Sequence, residues 1–179
     1  MREITKSRLR EINYKLWSSI VRNRCKSVCA KCYLDNLKKG MGPEEAKRKA
    51  TKHVDAHHIF EKGMNHSLMF DIDNGICLCF YHHKYWVHSI AIPEKEREDF
   101  IIQVIGPDKY EELWWKSKQI VKTNLAFYIE NFKRLMNYCI DENIDTSRIV
   151  PQYIVKEFFP EWFPTKEVIE SYENEEVKE

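Results

Sequence analysis

The stretch "DAHHIFEKGMNHSLMFDIDNGICLCFYHHKYWVH", residues 55–88, holds six of the chain's seven histidines and two of its six cysteines. Imidazole and thiolate are the protein ligands of zinc and related ions. Crowding them into one segment therefore raises the question of a metal. Upstream, "CKSVCAKC", residues 25–32, supplies the missing sulfurs. Cys29 and Cys32 form a C-x2-C pair, and Cys79 and His82 form a C-x2-H pair. Two such pairs can close a tetrahedral zinc site of three sulfurs and one nitrogen, a structural zinc whose binding energy is also folding energy. Cys25 is an alternative sulfur at the weaker C-x3-C spacing. Cys77 reads as a packed neighbour, and Cys139 as a small apolar residue of a distal helix. The competing reading is that all these cysteines are free and buried.

The remaining histidines divide by geometry. Neighbours on a strand point to opposite faces, so His57 and His58 cannot bind the same ion. One is expected to be a ligand and its neighbour something else. His83 follows His82 on an expected helix and points away from the sulfur site. A second, open metal position built by His57 and His83 follows. His88 lies five residues beyond His83, one past the i,i+4 helical neighbour, and joins only if the helix ends or bends. His53 and His66 read as ordinary surface residues.

The rest of the chain sets the context. Its 179 residues suffice for one domain, or for a small module with a helical extension. A hydrophobic fraction of 43% with 13% aromatics argues against disorder. No apolar run is long enough to span a bilayer. The N-terminal "MREITKSRLREINYKLW" lacks the apolar core and cleavage site of a secretory signal, so a cytoplasmic location and reduced cysteines are expected. The overall charge of +1 hides an asymmetry. Residues 1–92 carry 17 Lys+Arg and 9 Asp+Glu, a net +8, against −7 for residues 93–179. A basic half containing the ligand cluster suggests an anionic partner, with nucleic acid the leading candidate; a solvated basic surface is the alternative.

Residues 5–24 read as an amphipathic helix with Leu9, Ile12, Leu16, Ile20 and Val21 on its apolar stripe. A helix entered at Pro43 follows. "VDAHHIF" reads as a strand, "EKGMNHSLMFDID" as a loop, "NGICLC" as a turn into a second strand, and "FYHHKYWVH" as the start of a helix. After Pro93 the chain reads as helical. "PEKEREDFIIQVIG" is bounded by Pro and Gly106. The segment from Pro107 to Asn143 reads as one long or broken helix whose apolar face includes Leu113, Ile120, Val121, Leu125, Tyr128, Phe132, Leu135 and Met136. Trp114 and Trp115 are expected to make packing or partner contacts. Residues 149–164 are expected to wrap back on the body, and "ESYENEEVKE" to form a frayed acidic end.

"DAHHI", then "DNG", then "LCFYHH" and a further His together resemble the HNH, or His-Me finger, endonucleases. The flanking "LWSSIVRNRCKSVCAKC" and "HHKYWVHS" are similar to HNH proteins of tailed phages, among them NinG (Rap)-like recombination endonucleases. The resemblance covers residues 9–90, with a weaker echo in "GPDKYEEL". It implies an α+β fold: a small ββα-metal, treble-clef-like core with a zinc knuckle, flanked by an N-terminal helix and a C-terminal helical region. Residues 1–92 would form the nuclease domain and residues 93–179 a mainly helical extension. The resemblance also implies roles. His57 matches the first ligand of the catalytic metal, often Asp in relatives, and His58 the general base. Asn74 matches the residue orienting the base-bearing loop. His83 matches the ligand on the helix, and His88 the terminal His of the longer motif. The family usually closes its knuckle with two C-x2-C pairs; here His82 replaces the last cysteine, a substitution that zinc accepts.

The implied activity is metal-dependent hydrolysis of DNA phosphodiester bonds leaving a 5′ phosphate, with Mg2+, Mn2+, Ni2+ or Zn2+ at the active site. Arg22, Arg24, Lys52, Lys62 and Lys84 are expected to contact backbone phosphates, which sets affinity without reading sequence. The acidic C-terminal helices are expected to dock a second copy or another phage protein. Two alternatives remain: a non-catalytic zinc knuckle that binds nucleic acid or protein, and an RNase or toxin-like nuclease on the same scaffold.

Overall fold

The structure, a computed structural model, describes residues 4–61 and 63–162. Lys62 and the acidic tail from residue 163 onward lie outside the described residues. Helix α1 spans Lys6–Arg24 and starts where Thr5 accepts a hydrogen bond from the Arg8 N–H at 3.2 Å. Its expected apolar stripe is buried, joined by Trp17. Helix α2, Ala30–Lys38, was not anticipated by the cysteine-led reading. Its signals were present in the Lys31–Asp35 i,i+4 ion pair and in Leu34 with Leu37. Helix α3, Pro43–Lys49, has Pro at its first turn, acids following and bases at its end, as the dipole favours.

Strands β1, Val54–His58, and β2, Gly75–Cys79, form a two-stranded antiparallel sheet with His57 opposite Ile76 and His58 opposite Gly75. The expected loop between them contains two 3-10 turns, His66–Leu68 and Ile72–Asn74. A short π-helix, His82–Val87, follows β2. Then come α4, Glu94–Ile105, and α5, Pro107–Ser117, joined at Gly106, whose φ of 85° suits glycine. Helix α6, Leu125–Asp141, α7, Gln152–Phe158, and a 3-10 turn, Pro160–Trp162, complete the described chain.

The stretch expected as one long or broken helix is broken over residues 118–124. Asn124 opens α6 by accepting from the Phe127 N–H at 2.9 Å. Ile120, expected on the apolar face, is fully exposed in this break. Among the described residues no helix is long and apolar enough to cross a membrane.

Two buried clusters flank the sheet. On one side α1 packs Leu9, Ile12, Leu16, Trp17 and Ile20 against Tyr128, Phe132, Leu135 and Met136 of α6, with Ala56 and Cys77 from the strands. Val150, Ile154 and Phe159 return to this cluster, so the segment from residue 149 wraps back as expected. On the other side Ile76 and Leu78 meet Cys29 and Leu34, together with Phe100 and Ile101 of α4. Both clusters therefore draw on residues before and after position 92.

Gly75 sits at the tightest point. A Cβ there would clash with Val21 Cγ2 and lie 3.0 Å from Trp17 Cζ2. Gly75→Ala is expected to destabilise the fold by about 1–3 kcal/mol, the usual cost of overpacking. A urea midpoint unchanged from wild type would refute this close approach.

Candidate metal centres and active site

The sulfur cluster is assembled from three elements. Cys29 precedes α2, Cys32 lies in its first turn, Cys79 ends β2, and His82 opens the π-helix. The His82 Nδ1 atom lies 3.4 Å from Cys29 Sγ, 3.5 Å from Cys32 Sγ and 3.3 Å from Cys79 Sγ, and Cys32 Sγ is 3.9 Å from Cys79 Sγ. Tetrahedral zinc with the usual bond lengths requires sulfur–nitrogen edges of about 3.6 Å and sulfur–sulfur edges of about 3.8 Å. The four side chains thus fit that ion. Burial pushes the Cys29 thiol up to about 12, a cost that a bound cation removes by replacing the proton. Outer partners orient the set: Thr51 Oγ1 lies 3.5 Å from Cys32 Sγ, and Asp35 Oδ2 lies 3.9 Å from His82 Nε2. Cys25, the alternative sulfur, packs instead against the α1 cluster beside Cys77.

The second cluster comprises His57, His83 and His88. Their ring centroids form a near-equilateral triangle of 5.1, 5.2 and 5.4 Å, and their ligand nitrogens lie within 4.8 Å of one another. An α-helix would carry His88 past His83. The π winding, with its i→i+5 bonds, brings the two onto one face. His57 comes from the strand, and burial, followed by the neighbouring His83, His88 and His58, pushes its pKa down to about 3. Its imidazole is therefore neutral and keeps a lone pair for a cation. Asp55, two residues before His57 and on the same strand face, places Oδ2 3.6 Å from His83 Nδ1. The sequence reading passed over Asp55, although the period-2 alternation pointed to it.

His58 faces the other way. Its ring stacks on Trp17 at 3.7 Å and 10°, and Nε2 lies 3.0 Å from the Met69 carbonyl oxygen. A carbonyl only accepts, so Nε2 is the donor of this hydrogen bond. The loop bearing Met69 is fixed on several sides. Trp17 Nε1 donates to Asp71 O at 2.8 Å, Arg134 donates to Phe70 O at 2.7 Å, and Lys116 pairs with Asp71 at 3.2 Å. Asn74 is fully buried; its Oδ1 accepts from Phe60 N at 2.8 Å, and its Nδ2 donates to Phe60 O at 2.9 Å and Leu68 O at 3.2 Å. It thereby joins the end of β1 to the loop that holds His58. Opposite strand faces notwithstanding, His57, His58 and His88 line one cleft of about 600 Å³, whose far wall includes Arg97, Tyr110 and Trp114.

The expected phosphate contacts are placed unequally. Lys84 is exposed on the π-helix. Lys52 is exposed, and its ammonium donates to Lys47 O at 2.8 Å. Arg22 is half-buried and donates to Ser18 Oγ at 2.7 Å. Arg24 is committed to the loop, donating to Ile72 O at 2.7 Å and pairing with Asp73 at 2.9 Å.

Residues 32–90 match the family model described as HNH endonuclease. This HNH segment spans about a third of the chain, from the second cysteine of the knuckle to just past His88. It leaves out Cys29, α1 and everything from α4 onward. No curated protein and no solved structure matches the chain.

Stripping the sulfur-bound ion with a chelator is expected to lower the melting temperature by roughly 10 °C or more, since a few kcal/mol of folding energy goes with it. An unchanged melting curve after removal of bound zinc would count against a structural role. A second expectation concerns pH. The folded, metal-free chain refuses a proton on His57 that the unfolded chain accepts below its ordinary value of 6.5. Stability then falls as pH drops from about 6.5 toward about 3, by about 1 kcal/mol between pH 7 and pH 5.5 from this group. Urea unfolding of the metal-free protein at the two pH values should show His57→Gln flattening that slope; parallel slopes would remove His57 as its source.

Proposed function

We propose that the chain is a metal-dependent DNA endonuclease in which His58 is the general base. The observation that carries this reading is the division of labour on β1. His57 joins two other imidazoles, while His58, one residue on, is held by Trp17 and the Met69 carbonyl beside the same cleft. A structural zinc knuckle needs neither arrangement. Hydrolysis needs an activated water, relief of charge on the phosphate and help for the leaving oxygen. Imidazole works near neutral pH, so the Nδ1 lone pair of His58 can accept the proton of an attacking water. Donation from Nε2 to Met69 fixes the tautomer, and the Trp17 face fixes the plane. Asn74 keeps the base-bearing loop in register with the strand. His57, His83 and His88 would hold a divalent ion, Mg2+, Mn2+, Ni2+ or Zn2+, that supplies Lewis-acid charge for a phosphate oxygen and the leaving oxygen. Three neutral ligands leave its net charge undiminished for that purpose. The sulfur site would hold structural zinc.

The basic half supports DNA as the partner, with Lys84 beside His83 the best-placed phosphate contact among the described residues. The phage-type resemblance supports a NinG-like role in recombination or DNA processing within host cytoplasm. Exposed Trp115, Ile120 and Leu125 support a protein contact, with a second copy or another phage protein, at the end of α5 and the break that follows.

A plasmid-nicking assay with Mn2+ or Mg2+ tests the reading. His58→Ala is expected to lower the rate by about 10²–10⁴-fold, the usual worth of a general base, with the sulfur-bound zinc retained. Equal cutting by both proteins would overturn the assignment of the base. Inertness of both across metals and DNA forms would favour a binding module instead.

A further inference from the structure

The three imidazoles are not held equally. His57 is fixed within a strand pair, and His83 lies inside the π-helix. His88 stands just past the helix end, exposed, with its own N–H bonded to Trp86 O. The last carbonyls of any helix lack partners within it; the helix holds the peptides around His88 through the Trp86 carbonyl, which also accepts from the Ser89 N–H at 3.2 Å, and the Val87 carbonyl is met from outside. The outside support comes from α4. Arg97 Nη1 donates to Val87 O at 3.2 Å and to Ser89 O at 3.1 Å, one carbonyl on each side of His88.

We propose that Arg97 is a positioning residue for His88, gripping the backbone at one carbonyl before it and one after it and so holding the third imidazole in the metal site. The inference rests on reading His57, His83 and His88 as one metal site. Glu94 and Glu98 share the cleft wall with Arg97, yet among the described residues Arg97 makes no ion pair with either. Its charge is turned to the carbonyls instead. Helix α4 can act as a fixed support because Phe100 and Ile101 are buried with Ile76, Leu78 and Cys79. A continuous path thus runs from the core through α4 and the guanidinium to His88. Arg97 lies beyond the HNH segment, so this assigns to the C-terminal extension a part in building the metal site.

Cobalt titration of the full chain tests this. The sulfur site is first filled with zinc, and Co2+ is then added and followed by its ligand-field absorption at the imidazole site. Arg97→Met is expected to weaken Co2+ binding about 10–100-fold, the range typical of lost outer-shell partners. Arg97→Lys, which keeps one charged donor, is expected to fall between Arg97→Met and wild type. The double variant Arg97→Met/His88→Ala should bind no more weakly than His88→Ala alone, because both act through one ligand. Wild-type affinity in Arg97→Met, alongside weakened binding in His88→Ala, would overturn the proposal and leave the metal-site reading intact. Wild-type affinity in both His83→Ala and His88→Ala would overturn the metal-site reading and the proposal with it. To separate positioning from general folding, Co2+ is also bound to the zinc-free sulfur site and read by its thiolate charge-transfer band. If Arg97→Met and Arg97→Lys weaken that site equally, Arg97 supports the fold at large and the proposal fails.

Discussion

The alternation of a β-strand is the constraint on which this molecule is organised. Because successive side chains leave β1 on opposite faces, His57 and His58 are committed to different surroundings one peptide apart. One face meets the π-helix and α4; the other meets α1. A slip of one residue in the β1–β2 register would exchange the two imidazoles and dismantle both arrangements. The close contact of Gly75 with Val21 and Trp17 helps to hold that register, since another residue opposite His58 would push α1 away.

The region beyond the HNH segment is scaffolding for the segment. Helix α6 covers α1, which in turn presents Trp17 to His58. Arg134 and Lys116, from α6 and α5, grip the loop whose Met69 carbonyl accepts the hydrogen bond from His58 Nε2. A two-stranded sheet is too small to be stable by itself. The sulfur cluster and α4 support one of its sides, and α1 backed by α6 the other.

Much of this was legible in the sequence because fixed periods encode it. The α1 stripe, both strands and the C-x2-C/C-x2-H spacing follow from helical, strand and ligand geometry. The rest depends on contacts between distant segments. No local pattern marks "HHKYWV" as π rather than α; the difference appears only when His82 must reach the cysteines and His88 must return to His83. Ile120 fits a helical stripe by spacing, yet lies where Asn124 starts a new helix. Arg24 is expected at phosphate by composition, and no local pattern shows that it also ties α1 to the loop at Asp73. Asp55 was readable from alternation with His57 and was obscured by the histidines beside it.

The π-helix has a consequence for independence. His82 and His83 are neighbours, about 3.8 Å apart along the backbone, yet each serves a different cluster. A small rotation of this short segment about its axis would move both ligands together, one out of the thiolate tetrahedron and the other out of the imidazole triangle. The two centres therefore share a single mechanical axle. A shift in either group of side chains is thus felt by the other.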